Sequence, residues 1–238
     1  MASTCSLPAK DAEVSIRKTG VFRVEDAPLG RRVAEFSERG LPTRTEFGLE
    51  FCAENTLDNR DIRTVIESIL DRPRWGLLKI YSDKLPSDSA FFFHNPSFYY
   101  NQPTPQIPTL LVQLWSPGSQ MVFYEGSHLQ NINPMESKKW GLLTLPCVQM
   151  RRDGITETPV GMAEGGLAIM DSRLGFTIPQ GYVVNIGFAT ESEIQFWAKM
   201  ELPDSEALRA KVDELRRRRF ETNFTFVKEL DAANARNK

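Results

Sequence analysis

The side chains of this 238-residue chain that could do chemistry are few, and they sit among apolar runs. There are two histidines, His94 and His128. His94 follows Phe91–Phe93 and precedes Phe98, Tyr99, Tyr100, Asn101 and Gln102, a stretch dense in rings with hydrogen-bonding tips. In the run Thr109–Trp115, strand alternation puts Thr109, Leu111, Gln113 and Trp115 on one face and Leu110, Val112 and Leu114 on the other. The aliphatic face belongs to the core. The face with Gln113 and Trp115 is the candidate cavity wall, because isolated polar groups among large apolar side chains are how small-molecule pockets fix orientation. Asn185 interrupts Val183, Val184, Ile186 and Phe188 in the same way, and Tyr124 ends the run Met121–Tyr124. Each also has a plainer reading, in which the rings pack a core and the amides are buried groups satisfied by neighbours.

Donors set in an aromatic wall suit reactions that need shape and one or two hydrogen bonds to a carbonyl, with the reactant held close to its reacting geometry. His94, Gln113 and Tyr124 are the catalytic candidates on this reading. Tyr99, Tyr100, Trp115 and Asn185 are the candidates for substrate contact. Cys5, Cys52 and Cys147 are scattered and odd in number, which speaks against a disulfide framework or a zinc site and for a reducing compartment.

The elements that must position these groups follow from periodicity. Leu29, Val33 and Phe36 predict a helix over Arg31–Glu38, and Ile62, Val65, Ile66, Ile69 and Leu70 predict one over Asp61–Asp71, stopped by Pro73. From Trp75 the pattern changes to short runs rich in β-formers: Leu77–Tyr81, Ala90–Phe93, Thr109–Trp115, Met121–Tyr124, Gly141–Leu145, Leu167–Asp171 and Tyr182–Phe188. Thr190 and Glu193 have capping-box spacing for a further helix, and Ser205–Arg219 carries Leu208, Val212 and Leu215 on one side. The arginines 216–219 suit the C-terminal end of that helix and read as a solvated face.

The chain is expected to be one domain over 1–238, with helical flanks at 28–72 and 191–219. Lys and Arg number 29 against 31 Asp and Glu, so no basic excess attracts nucleic acid or a membrane surface. No run approaches a membrane span and Met1–Lys10 has no signal-peptide core, so a cytoplasmic location is expected. The oligomeric state is left open.

Two segments carry a family resemblance. Val112–Leu129, VQLWSPGSQMVFYEGSHL, and Gly165–Ala189, GGLAIMDSRLGFTIPQGYVVNIGFA, resemble in order and separation two segments of the phytanoyl-CoA dioxygenase-like family. With His94 upstream, the resemblance covers roughly residues 75–190. It implies a mainly β fold with flanking helices, a double-stranded β-helix of the jelly-roll or cupin-like kind.

The same resemblance implies what this chain lacks. The family binds iron through His-x-Asp and a distal His, with an Arg for the 2-oxoglutarate carboxylate. Here His94-Asn95-Pro96 stands at the first position and Phe176 at the second, and no Arg or Lys lies between Phe176 and Phe188. No metal and no cofactor are therefore expected. Phe176 and Asp171 join the substrate-binding candidates, although the Asp171-Ser172-Arg173 run reads first as an ion pair that holds its turn. An Asp171 facing an apolar cavity would be suited to proton transfer.

Three functions remain in view. The first is a metal-independent isomerase or cyclase of specialised, fungal-type natural-product metabolism. It would fold an apolar polyene-like intermediate, with an intramolecular Diels–Alder cycloaddition as its concrete form. The second is an iron oxygenase with atypical ligands, His94, His128 and Asp171. The third is a non-catalytic small-molecule binding protein.

Overall fold

A computed structural model of the chain describes residues 8–99, 106–218 and 221–228. Four helices come early: α1 (Ala9–Thr19), α2 (Ala27–Glu38), α3 (Glu46–Asn55) and α4 (Arg60–Ile69), with strand β1 (Val21–Glu25) between the first two. α2 starts two residues before the apolar stripe because the Asp26 carboxylate accepts from Leu29 N–H at 2.8 Å, with Pro28 in the first turn. α4 is capped by Asn59, whose side chain accepts from Asp61 and Ile62 N–H.

The strands that follow are β2 (Arg74–Ser82), β3 (Ser89–Phe92), β4 (Thr109–Trp115), β5 (Ser119–Glu125), β6 (Met135–Ser137), β7 (Leu142–Pro146), β8 (Thr156–Met162), β9 (Gly166–Asp171), β10 (Gly175–Gln180) and β11 (Tyr182–Ala189). Short helix α5 (Glu191–Ile194), strand β12 (Met200–Pro203), helix α6 (Glu206–Arg217) and strands β13 (Glu221–Thr222) and β14 (Phe224–Val227) complete the described residues.

These strands form two six-stranded sheets, in the orders β1-β9-β4-β11-β2-β13 and β6-β7-β3-β10-β5-β8, and β12 pairs with β14 in a small parallel ribbon. The neighbours within both large sheets are antiparallel except β13 with β2. The fold is a double-stranded β-helix with a helical layer on one side.

Alternation sorts the side chains. On β4, Leu110, Val112 and Leu114 point outward to join Val33, Phe36 and Ile66 of the helices in one core, while Leu111 and Trp115 point between the sheets to meet Phe91, Phe123 and Phe176 in another. A third cluster, Ala90, Phe92, Tyr124, Ile132, Leu145 and Met150, lies on the outer face of the second sheet.

Several elements go beyond the periodic signals. α1 buries a narrow stripe of small residues and one isoleucine, Ala9, Ala12 and Ile16, and α3 buries most of its surface, with Glu46, Phe47 and Glu54 exposed, so neither has the broad aliphatic stripe of α2 and α4. β8 is a largely exposed edge strand containing Pro159, and β10 carries a register irregularity between Thr177 and Gln180 around Pro179. The basic run is more than a solvated face, since Arg218 bonds Glu214 on its own helix and Asp58 at 2.7 Å beyond α3. Arg219 lies outside the described residues. Among the described residues no helix is long and apolar enough to cross a membrane.

Candidate functional site at the barrel mouth

Across the inner face of the first sheet, the register lines up Lys79 of β2, Asn185 of β11, Gln113 of β4 and Ala168 of β9. Lys79 belongs to that face because its strand neighbours Leu77 and Tyr81 pack between the sheets, while Leu78 and Ile80 pack against the helices. Asn185 and Gln113 are fully buried behind it. Gln113 Nε2 donates to Asn185 Oδ1 at 2.9 Å, and Asn185 Nδ2 donates to the backbone carbonyls of Val183 at 3.2 Å and Lys79 at 3.4 Å. Gln113 Oε1 is buried without a protein partner, an acceptor held in reserve inside the barrel.

In front of this row a pocket of about 550 Å³ opens at the barrel mouth. Leu77, Phe93, Trp197 and Met200 give it apolar walls, and Lys79 and His94 face it. Lys79 reaches solvent through the mouth, yet partial burial lowers its pKa from the usual lysine range. Two glycines make the space. Gly141 has φ +62°, and a Cβ there would stand 2.9 Å from Lys79 Nζ. At Gly76 a Cβ would stand 2.4 Å from Ile194 Cδ1 and 3.1 Å from Trp197 Cε3, so the glycine gives Ile194 and Trp197 room to lie close against β2.

His94 is positioned by both layers. Its backbone N–H donates to Ser172 O at 2.9 Å, which ties it to the turn after β9. Its Nε2 lies 2.8 Å from Glu193 Oε1, and the same oxygen accepts from Trp197 Nε1 at 3.3 Å. Glu193 is held in turn by the α5 cap, where Thr190 Oγ1 accepts from its N–H. Imidazole, carboxylate and indole thus form a hydrogen-bonded group at the rim of an apolar pocket, able to donate to a ligand oxygen or to move a proton.

Of the residues singled out from sequence, His94 lines the pocket, and Gln113 and Asn185 form the buried pair behind Lys79. Trp115 is fully buried two positions further along the barrel, with its ring 5.8 Å from Phe123. Tyr124 needs correcting. It sits on the outer face of the second sheet, where it is hydrogen-bonded to Cys147 and its pKa is raised by burial, so the sheet itself separates it from Gln113. Tyr99 ends the 3-10 turn Pro96–Tyr99, and Tyr100, Asn101 and Gln102 lie outside the described residues. Asp171 does not face the pocket. It is fully buried and takes four hydrogen bonds from Arg173: from the backbone N–H, twice from Nε, and from Nη2 at 2.5 Å. Lys79, Glu193 and Trp197 were missed. The visible signal for Lys79 was a cation between Leu77 and Tyr81 on an otherwise apolar face.

Phe176 also occupies a different place from the one expected. It does not line an open chamber. Its fully buried ring stacks on Phe93 with centroids 5.6 Å apart and fills the barrel centre together with Phe91. These residues do not fit the iron that the family resemblance implies. His94 Nε2 is engaged by Glu193, Pro96 offers no donor, and among the described residues no three His, Cys, Asp or Glu side chains converge, His94, His128 and Asp171 included.

No family model and no curated protein matches the chain. Solved structures do. The apo structure of HygX from Streptomyces hygroscopicus superimposes with a TM-score of 0.54 at 12% identity over 84% of this chain and 93% of that one. HygX with iron bound gives 0.51 at 14% over the same shares. The epimerase SnoN in complex with Fe3+, alpha ketoglutarate and nogalamycin RO gives 0.51 at 12%, over 76% of this chain and 83% of that one. At these identities the likeness is one of fold.

Proposed function

We propose that this chain is a metal-independent isomerase or cyclase of specialised, fungal-type natural-product metabolism. It folds a small, largely apolar polyene-like substrate at the barrel mouth, and intramolecular Diels–Alder closure is the most concrete form of the reaction. One observation carries this reading. The pocket pairs an apolar wall with the His94–Glu193–Trp197 group, while Phe176, which the family resemblance sets at the distal-histidine position, packs its ring on Phe93. Leu77, Phe93 and Trp197 hold the chain of the substrate in a folded shape, and the doubly protonated imidazole of His94, paired with Glu193 through Nε2, donates through Nδ1 to its carbonyl oxygen, drawing electron density from the adjoining double bonds. The solved structure of SnoN, with nogalamycin RO bound, supports the view that this fold accommodates bulky natural products.

The test is conversion of a panel of linear polyenes bearing a carbonyl, with a chelator in excess. The expected product has unchanged mass and altered chromatographic retention. His94→Ala should slow its formation on the order of 100-fold, and Tyr124→Phe should leave it unchanged. A product heavier by one oxygen, or a reaction that requires added iron(II) and 2-oxoglutarate, would overturn the proposal in favour of an oxygenase. Saturable binding with no product from any member of the panel would leave a binding protein.

A further inference from the structure

The charges around the pocket say what kind of molecule it takes. Three cations line it, Arg44, Lys79 and Lys199, against one anion, Glu201. A proton on His94 would be balanced by the carboxylate of Glu193, its partner at 2.8 Å. Among the described residues Arg44, Lys79 and Lys199 make no ion pair, although other cations of the chain do so readily: Lys211 with Glu50 and Glu214, and Arg74 with Glu191. All four of these side chains reach solvent, which screens them. Lys79 differs in what surrounds its stem. It rises from the inner face of β2, its ammonium sits in the space that Gly141 leaves, and Leu77, Phe93 and Trp197 surround the same pocket. A cation so placed has lost part of its hydration and has no protein carboxylate in exchange.

We infer that the pocket binds a molecule with one carboxylate and an apolar, unsaturated body, the carboxylate on Lys79 and the body against Leu77, Phe93 and Trp197. The ligand's own charge supplies the counter-ion that the chain withholds. A hydrogen bond between two ionised groups in a partly dry pocket is roughly twice as strong as a neutral one, so the acid form of a ligand should be preferred over its neutral analogue. The inference rests on the same pocket as the proposed reaction and names the end of the substrate that is anchored.

The experiment is calorimetric titration of the full chain with 2,4-decadienoate, with 2,4-decadienamide, which is matched in shape and neutral, and with acetate, which has the charge without the body. The acid should bind about tenfold more tightly than the amide, a difference of about 1.4 kcal/mol, and acetate should not saturate. Lys79→Met should abolish the acid–amide difference, Lys79→Arg should keep most of it, and Lys199→Ala at the rim should change it less than twofold. Equal affinity of wild type for acid and amide overturns the inference whether or not any variant folds. A preference retained in a folded Lys79→Met protein overturns it as well. Decadienoate binding in a protein that converts no polyene would sink the proposed reaction and leave this inference standing. Turnover of neutral polyenes without any preference for acids would do the reverse.

Discussion

Removing the Phe176 ring asks whether the barrel centre is packed shut. The ring has no exposed surface, stacks on Phe93 at 5.6 Å and 18°, and lies 6.4 Å from Phe91. Its strand is fixed on both sides, with Phe176 opposite Phe91 of β3 and Phe123 of β5, so the backbone has little freedom to close a gap. An aromatic side chain buries about 150–250 Å², which at about 25 cal/mol per Å² corresponds to about 4–6 kcal/mol of transfer free energy. The methyl left by alanine and partial collapse of the neighbours reduce this, while the two lost ring contacts add to it. A loss of about 4 kcal/mol is therefore expected for Phe176→Ala. In urea, with a slope of about 2 kcal/mol per molar, the midpoint should fall by about 2 M. Phe196→Ala is the control, because that ring is 79% exposed and its removal should cost under about 0.5 kcal/mol. A Phe176→Ala protein within about 1 kcal/mol of wild type would refute the argument, for it would mean that the ring borders an open chamber.

Two further outcomes follow from buried polar groups. Arg173→Ala strands the Asp171 carboxylate in the interior and should cost about 3–5 kcal/mol, whereas the double change Asp171→Leu with Arg173→Met should cost less than that single one; activity lost without loss of stability would instead indicate a chemical role. His128 is buried, and desolvation lowers its pKa against the opposing effect of Asp171, with Arg173 adding to the lowering. Its folded form therefore resists the proton that the unfolded chain accepts, so stability should decline as pH falls through the ordinary histidine range near 6.5. Urea midpoints at pH 7.5 and 5.5 should show a smaller decline in His128→Gln, and an unchanged decline would refute the assignment.

The central strands were legible because both faces of the first sheet are buried against something apolar, which gives long runs of β-formers ended by Pro or Gly. β4 was bounded correctly at Thr109–Trp115, and alternation alone separated its two faces, although the face expected to wall a cavity is packed between the sheets at Leu111 and Trp115. What escaped was structure with a weak apolar signal: α1, whose stripe is Ala9, Ala12 and Ile16, α3, whose exposed side is only Glu46, Phe47 and Glu54, and the exposed edge strand β8. Such elements are specified by what they pack against, and their own spacing carries little of that information.

The site was legible only in part, for a reason that lies in the barrel's geometry. Sequence alternation says which residues share a face, but it does not say how deep along the barrel the packed rings end and the pocket begins. Gln113 and Lys79 share the inner row, yet one is sealed inside and the other stands at the mouth. The boundary is set by Phe93, whose ring closes over Phe176 on one side and walls the pocket on the other. Tyr124 was misplaced by the complementary limit. Its strand does belong to the barrel, but Met121 and Phe123 hold the inward positions, and an odd step along the strand turns the phenol outward to Cys147. Chemistry in a barrel closed at its centre by rings has to sit at the rim, where loops meet strands. That is where Glu193 and Trp197 arrive, from a segment with no strand pattern, set against β2 by the missing side chain of Gly76.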